Sequence, residues 1–244
     1  MGERRVPAVL SIAGSDSGGG AGIQADLKAF ARSGVHGMTA ITALTAQNTA
    51  GVSAIHPVPH EMIVEQVRAV AADIGVDAVK IGMLGTAEIV RAVREALALL
   101  EPRTPIVLDP VMVAESGAVL LDDAARQALV EELLPLATVI TPNLPEARVL
   151  AESGEAEPGP GDADTLVRAL HRLGPDVVVI TGGHRDEATD VLFDGEAVHL
   201  IAGERYPDGA SHGSGCTHSA TLAAHLALGL SPLEAARDRL TSSA

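Results

Sequence analysis

Aromatic side chains are nearly missing from this chain of 244 residues, which has two Phe, one Tyr and no Trp. Ala, Val, Leu and Ile must therefore build the core, which suits buried parallel strands and close-packed helices. The single cysteine, Cys216, excludes an internal disulfide, and a reducing, cytoplasmic setting is expected. Lysine is confined to Lys28 and Lys80, and the formal net charge is −15. Without a basic cluster, such a chain is a poor partner for nucleic acid or an anionic membrane surface. An anionic small substrate is still allowed, provided a metal and backbone dipoles screen it. No run approaches the roughly 18 apolar residues of a membrane span. Glu3-Arg4-Arg5 before Val6 to Ala13 imitates a secretory leader, but the apolar run is short and meets Asp16 without a cleavage site.

What is there is a regular alternation. Val6 to Ala13 reads as a strand, Gly14 to Gly22 as a glycine-rich turn, and Ile23 to Ser33 as a helix stopped by Gly34. Met38 to Leu44 is a second strand; Thr45 to Pro57 is polar and turn-rich, with a short strand at Val52 to Ile55. Pro59 opens a helix with Ile63, Val67, Val70 and Ile74 at helical spacing. Three strand–helix units follow: Ala78 to Ile81 with Thr86 to Leu100, Pro105 to Leu108 with Asp122 to Leu134, and Thr138 to Thr141 with Pro145 to about Ala151. Glu152 to Asp164 reads as an exposed loop, ahead of helix Ala163 to Leu173 and strand Val177 to Thr181. Asp190 to Phe193 and Ala197 to Ile201, joined at Asp194-Gly195, read as a hairpin. The expectation is one doubly wound α/β domain over 1–244, with a mostly parallel sheet and a late β-hairpin. Ligands in such sheets collect beyond the C-terminal strand ends, where most of the glycine-rich turns fall.

The segment His212-Gly213-Ser214-Gly215-Cys216-Thr217 runs directly into a helical stretch, His218 to Leu230. Gly-x-Gly leading into a helix converges backbone N–H groups on the positive end of the helix dipole, an arrangement suited to a phosphoryl group. Cys216 falls on the first turn, where a helix start is expected to lower a thiol pKa. The turn from Ala13 to Gly22 fails the dinucleotide spacing, since the third glycine would fall on Ile23, and no Gly-Lys-Ser/Thr is present. Its glycines let a small substrate lie against bare backbone, with Asp16 or Asp26 nearby. Gln47 offers both a donor and an acceptor to the edge of a nitrogen heterocycle. Met83 suits an adaptable apolar wall. Asp109, after another strand, suits metal-bound water or an acceptor; Asn143 and Glu146 either cap a helix or order water around Mg²⁺. Thr181-Gly182-Gly183-His184 leaves room for an adenine or ribose. The histidines show no metal-ligand spacing.

In this order the segments resemble the hydroxymethylpyrimidine/phosphomethylpyrimidine kinases of thiamine biosynthesis, within the ribokinase-like superfamily. The resemblance runs from about Val9 to Leu230 and rests on Ala13 to Lys28, Ile41 to Val52, Lys80 to Leu84, Asp109 to Met112, Thr141 to Ala147 and His212 to Thr217. It implies a three-layer α/β/α sandwich, ATP with Mg²⁺, room for a monovalent cation, a homodimer, and phosphorylation of the pyrimidine alcohol and then of its monophosphate. Gln47 matches the position that binds the aminopyrimidine, and Gly14, Asp26, Met83 and Val111 match pocket positions. Gly213, Ser214 and Gly215 match the anion hole, and Cys216 falls where related sugar kinases place an aspartate base. Asn143 and Glu146 match the magnesium-organising pair, with Asp109 beside them. Thr181, Gly182, Gly183 and Thr217 fall on the ATP side.

Three departures accompany the resemblance. Ser214 replaces the common threonine and His218 an apolar residue; Thr181 stands where a lysine is common; and the chain stops at Ala244, so the last helix is expected to pack incompletely. Pyridoxal kinase on the same scaffold is the second enzyme reading. A pyrimidine-binding regulator with little catalysis is the reading from another class.

Overall fold

The computed structural model describes residues 6–113, 117, 119–153, 163–184, 189–202 and 213–238. The order is β1 (Ala8–Asp16), α1 (Gly22–Arg32), β2 (His36–Asn48), β3 (Gly51–Pro57), α2 (His60–Asp73), β4 (Ala78–Ile81), α3 (Ala87–Leu97), β5 (Ile106–Leu108) and α4 (Asp123–Ala128). It continues with β6 (Val139–Ile140), α5 (Leu144–Ser153), α6 (Ala163–His171), β7 (Val177–His184), β8 (Thr189–Phe193), β9 (Val198–Ala202), α7 (Ser214–Ala227) and α8 (Pro232–Asp238). The strands form one sheet in the order β3-β2-β1-β4-β5-β6-β7-β8-β9. From β2 to β7 every pairing is parallel, while β3, β8 and β9 run antiparallel to their neighbours.

Side-chain alternation divides the core. Leu10, Ile12, Val79, Ile81 and Leu108 point to one face, where α2 to α6 cover them. Val9, Ala78, Val107 and Val179 point to the other, under α1, α7 and α8. Small residues permit this closeness: Ala220, Ala223 and Ala224 of α7 are fully buried. On that second face, Ser11 of β1 pairs in register with Lys80 of β4, a polar spot under α1 and α7.

Two elements depart from expectation. Thr45 to Asn48 is not a loop: β2 continues through it and β3 folds back in register, Thr45 opposite Ile55. Asn48 Oδ1 closes that hairpin by accepting from Ala50 N–H at 2.8 Å and Gly51 N–H at 3.1 Å, an Asx turn. The helix expected over Asp122 to Leu134 starts as capped, with Asp122 Oδ1 accepting from Ala125 N–H at 2.7 Å, but after Ala128 it widens to a π-helical turn over Leu129–Leu133. Pro135, which has no N–H to donate, lies in the tighter 3₁₀ turn that ends it. Most of the loop expected over Glu152 to Asp164 lies outside the described residues, as does everything after Asp238.

Candidate active site

The parallel strands end at one edge, and their C-terminal ends and turns, with the starts of α1, α5 and α7, enclose a cavity of about 330 Å³. Its roof is the turn into α7. Gly213 caps the helix with φ 77, in the left-handed region, and a side chain there would run into Gly20 O of the glycine-rich turn. The two glycine turns are thus docked backbone to backbone. The first turn of α7 leaves its N–H groups without intrahelical acceptors, and Gly213, Gly215 and Cys216 line the cavity. The opposing turn is held by Asp16, whose carboxylate accepts from Gly18, Gly20 and Ala21 N–H at 2.8, 2.9 and 2.8 Å.

A chain of buried charge forms the floor. Lys80 Nζ lies 2.9 Å from Asp26 Oδ1 and 4.0 Å from Asp109 Oδ2, with the lysine wholly buried. Ser11 Oγ donates to Asp26, and Ser219 Oγ of α7 donates to Asp109 Oδ2 at 2.9 Å. Burial raises the pKa of both Asp26 and Asp109, against the lowering by Lys80. For Lys80 burial works downward, but Asp26, Cys216 and Asp109 outweigh it and hold the ammonium above its ordinary value.

The third wall is the start of α5. Glu146 accepts from Asn143 N–H at 3.0 Å and Asn143 Oδ1 accepts from Glu146 N–H at 2.9 Å, a reciprocal capping box. The Glu146 carboxyl also faces Met112 N–H at 3.4 Å. Burial, and then the charge of Asp109, push it up to about 7. Thr141 Oγ1, buried at this wall, has no hydrogen-bond partner among the described residues. A buried carboxyl raised further by a neighbouring carboxylate, with an unsatisfied hydroxyl at the same wall, suits a cation. No group of three or more His, Cys, Asp or Glu able to hold a metal occurs among the described residues. That donor set fits Mg²⁺, which keeps several waters and shares phosphates, better than a fully caged metal.

The cavity brings together Gly14, Gln47, Met83, Asp109, Val111, Asn143, Glu146, Thr181, Gly213, Gly215 and Cys216. Gln47 stands on β2, in the strand extension, and Thr181 of β7 bridges to Asn143. Ser214 and Thr217 are exposed on α7 and do not line the cavity. Nor does Gly182, whose N–H donates to Asp190 Oδ1 at 2.7 Å. His212 lies outside the described residues. Two expectations are corrected. Asp26 does not line the cavity, because its carboxylate is wholly buried under α1 with Lys80. Cys216 is not an acidified thiol: burial pushes it up to about 11, with Asp109 and Asp26 adding to the rise, against the lowering by Lys80 and by Gly22 N–H. Lining residues that sequence reasoning passed over include Lys80, Thr45 and Thr141. Lys80 carried a signal, as a lysine between Val79 and Ile81 in an otherwise apolar strand.

Fold and cavity define the class: an α/β enzyme with a glycine-led helix start and a carboxylate pair at the C-terminal edge of its sheet. The family model of phosphomethylpyrimidine kinase matches residues 16–239. A hydroxymethylpyrimidine/phosphomethylpyrimidine kinase of Rhizobium meliloti is 48% identical over 231 residues, covering 93% of this chain and 85% of that protein. Among solved structures, the phosphomethylpyrimidine kinase of Clostridium difficile superposes with a TM-score of 0.82 at 40% identity, covering 96% of each chain. An ADP complex of Bacillus subtilis pyridoxal kinase gives 0.82 at 40% identity, over 96% of this chain and 89% of the other. The chain belongs to the phosphomethylpyrimidine kinase family.

Proposed function

We propose that this protein phosphorylates 4-amino-5-hydroxymethyl-2-methylpyrimidine and then its monophosphate, with ATP as the donor, in thiamine biosynthesis. The observation that carries the reading is the shared cavity, in which Gln47, Asp109, Glu146 and Cys216 are neighbours around a volume fit for one small heterocycle and a phosphoryl group. Gln47 reads the pyrimidine edge, while Gly14, Met83 and Val111 form its walls. The hydroxymethyl group lies between Gln47 and Cys216, in line with the γ-phosphoryl group. The amides of Gly213, Ser214, Gly215 and Cys216 receive the charge that develops during transfer, so positioning and backbone dipoles carry most of the catalysis. Asn143, Thr181, Gly182, Gly183 and Thr217 face ATP. Asp109 and Glu146 would hold Mg²⁺, which when bound would neutralise phosphate charge.

The whole chain, 1–244, is read as a single ribokinase-like domain of three layers, α/β/α, with β8 and β9 as its late hairpin; the apolar cluster on each sheet face supports this. A cytoplasmic enzyme fits the lone cysteine and the absence, among the described residues, of any helix long and apolar enough to cross a membrane. A homodimer through the exposed edge strand β3 belongs to this reading, and sedimentation tests it. Replacing K⁺ with a bulky organic cation in the assay tests the monovalent-cation requirement.

The deciding experiment gives purified protein Mg-ATP with each candidate alcohol and identifies the products by mass. Pyrimidine monophosphate and diphosphate are expected. The likeness to pyridoxal kinases at 40% identity favours a second reading, in which pyridoxal phosphate appears instead. Tight pyrimidine binding with no ADP formed would establish the regulator.

A further inference from the structure

We propose that Thr45 fixes which way round the Gln47 amide meets the ligand, and so sets the preference for an aminopyrimidine over a pyridine alcohol. The inference rests on the reading of Gln47 given above. The Gln47 backbone is pinned on both sides: Ser17 Oγ donates to its carbonyl at 2.6 Å, and its N–H donates to Ser17 Oγ at 2.8 Å. Only the side-chain amide is left to choose an orientation. Thr45 is 8% exposed and on the cavity wall, and its Oγ1 lies 2.7 Å from Ser15 O and 3.2 Å from the Gln47 atom placed as Oε1.

A threonine hydroxyl has one proton, and a backbone carbonyl can only accept. The shorter contact therefore takes the proton, and toward Gln47 the Thr45 oxygen is an acceptor. With Oε1 beside it, two acceptors would face each other. A half-turn of the amide, whose oxygen and nitrogen occupy nearly equivalent places, puts Nε2 there and satisfies all three groups. One amide proton then goes to Thr45. The amide oxygen and the other N–H remain side by side as an acceptor–donor pair on the cavity side. Such a pair grips an exocyclic amine beside a ring nitrogen in a bidentate manner, as glutamine does with adenine. The aminopyrimidine presents that edge; pyridoxal has no amine beside its ring nitrogen. Without the Thr45 hydroxyl the amide is free to turn, and the order of donor and acceptor is lost.

The test is calorimetric binding of the aminopyrimidine alcohol and of pyridoxal to wild type, Thr45→Val, Thr45→Ser, Gln47→Ala and the Thr45→Val/Gln47→Ala pair, alongside steady-state kinetics. Thr45→Val should weaken the aminopyrimidine about tenfold, the size of one hydrogen bond, and pyridoxal less than about twofold. The loss should fall on KM for the alcohol more than on kcat. Thr45→Ser should restore the affinity, and the pair should bind no worse than Gln47→Ala alone. Thr45→Ala carries the same expectation where valine disturbs the strand. Equal weakening of both ligands, failure of serine to rescue, or additive losses in the pair would overturn the proposal. A wild type that makes no pyrimidine phosphate would overturn the proposed function instead, and the binding ratios still decide the role of Thr45.

Discussion

Cys216 stands at a helix start and beside an ammonium, yet its thiol is pushed up to about 11, because burial outweighs both. A thiol of that acidity is protonated across the physiological range and is not a ready base. Cys216→Ser should therefore lose less than about a hundredfold in kcat, below the usual contribution of a general base. Alkylation by iodoacetamide should show no inflection below about pH 9; an inflection near neutrality would restore the thiolate. Glu146 moves in the same direction for a related reason, from 4.5 to about 7. Its folded value lies above its unfolded one, so the fold favours the protonated carboxyl. The associated stability is fully present below the unfolded value and is lost as pH rises through about 7. In metal-free buffer, Glu146→Gln should melt higher than wild type at about pH 8 and equally at about pH 4. In assays the same variant should need more Mg²⁺ for half-maximal turnover, and wild type should need more as pH falls from about 8 to about 6.

At the scale of elements, the floor of the cavity joins five of them: Ser11 of β1, Asp26 of α1, Lys80 of β4, Asp109 just after β5 and Ser219 of α7. Removing one member of a buried ion pair strands the other charge, at a cost of about 3–5 kcal/mol. Lys80→Met should accordingly lower the melting temperature by roughly 6–20 °C. Adding Asp26→Asn should recover much of the loss, since the stranded carboxylate is then neutral; no recovery in differential scanning calorimetry would show that the ammonium serves mainly Asp109. This network also explains what was hidden in the sequence. An acid such as Asp26 looks the same along the chain whether it faces a cavity or the underside of a helix. Only the parallel pairing of Ser11 with Lys80 decides, and it joins strands far apart in sequence. The capping box at Asn143 and Glu146 was legible because it is local. The β2–β3 hairpin was not, since β3 is mostly exposed and carries no alternating apolar face.

For the molecule as a whole, the repeated strand–helix units and the ligand edge they create were readable from apolar spacing and glycine turns, because each unit buries its own stripe. In the proposed reading a saturating Mg²⁺ complex of a non-hydrolysable ATP analogue, at about a hundred times its Kd, stabilises the fold by about 2.7 kcal/mol. That corresponds to a rise in melting temperature of roughly 5–10 °C for a chain of this size; single-stranded DNA and anionic vesicles should produce none. The docking of Gly213 on Gly20 has a further consequence, for biosynthesis. The ribosome makes the first of these turns long before the second. In the proposed reading a growing chain can shape the heterocycle wall early, but it has no phosphoryl cradle until α7 is made and laid across β1, β4 and β5. In that reading the incomplete product transfers no phosphoryl group until α7 completes the second sheet face.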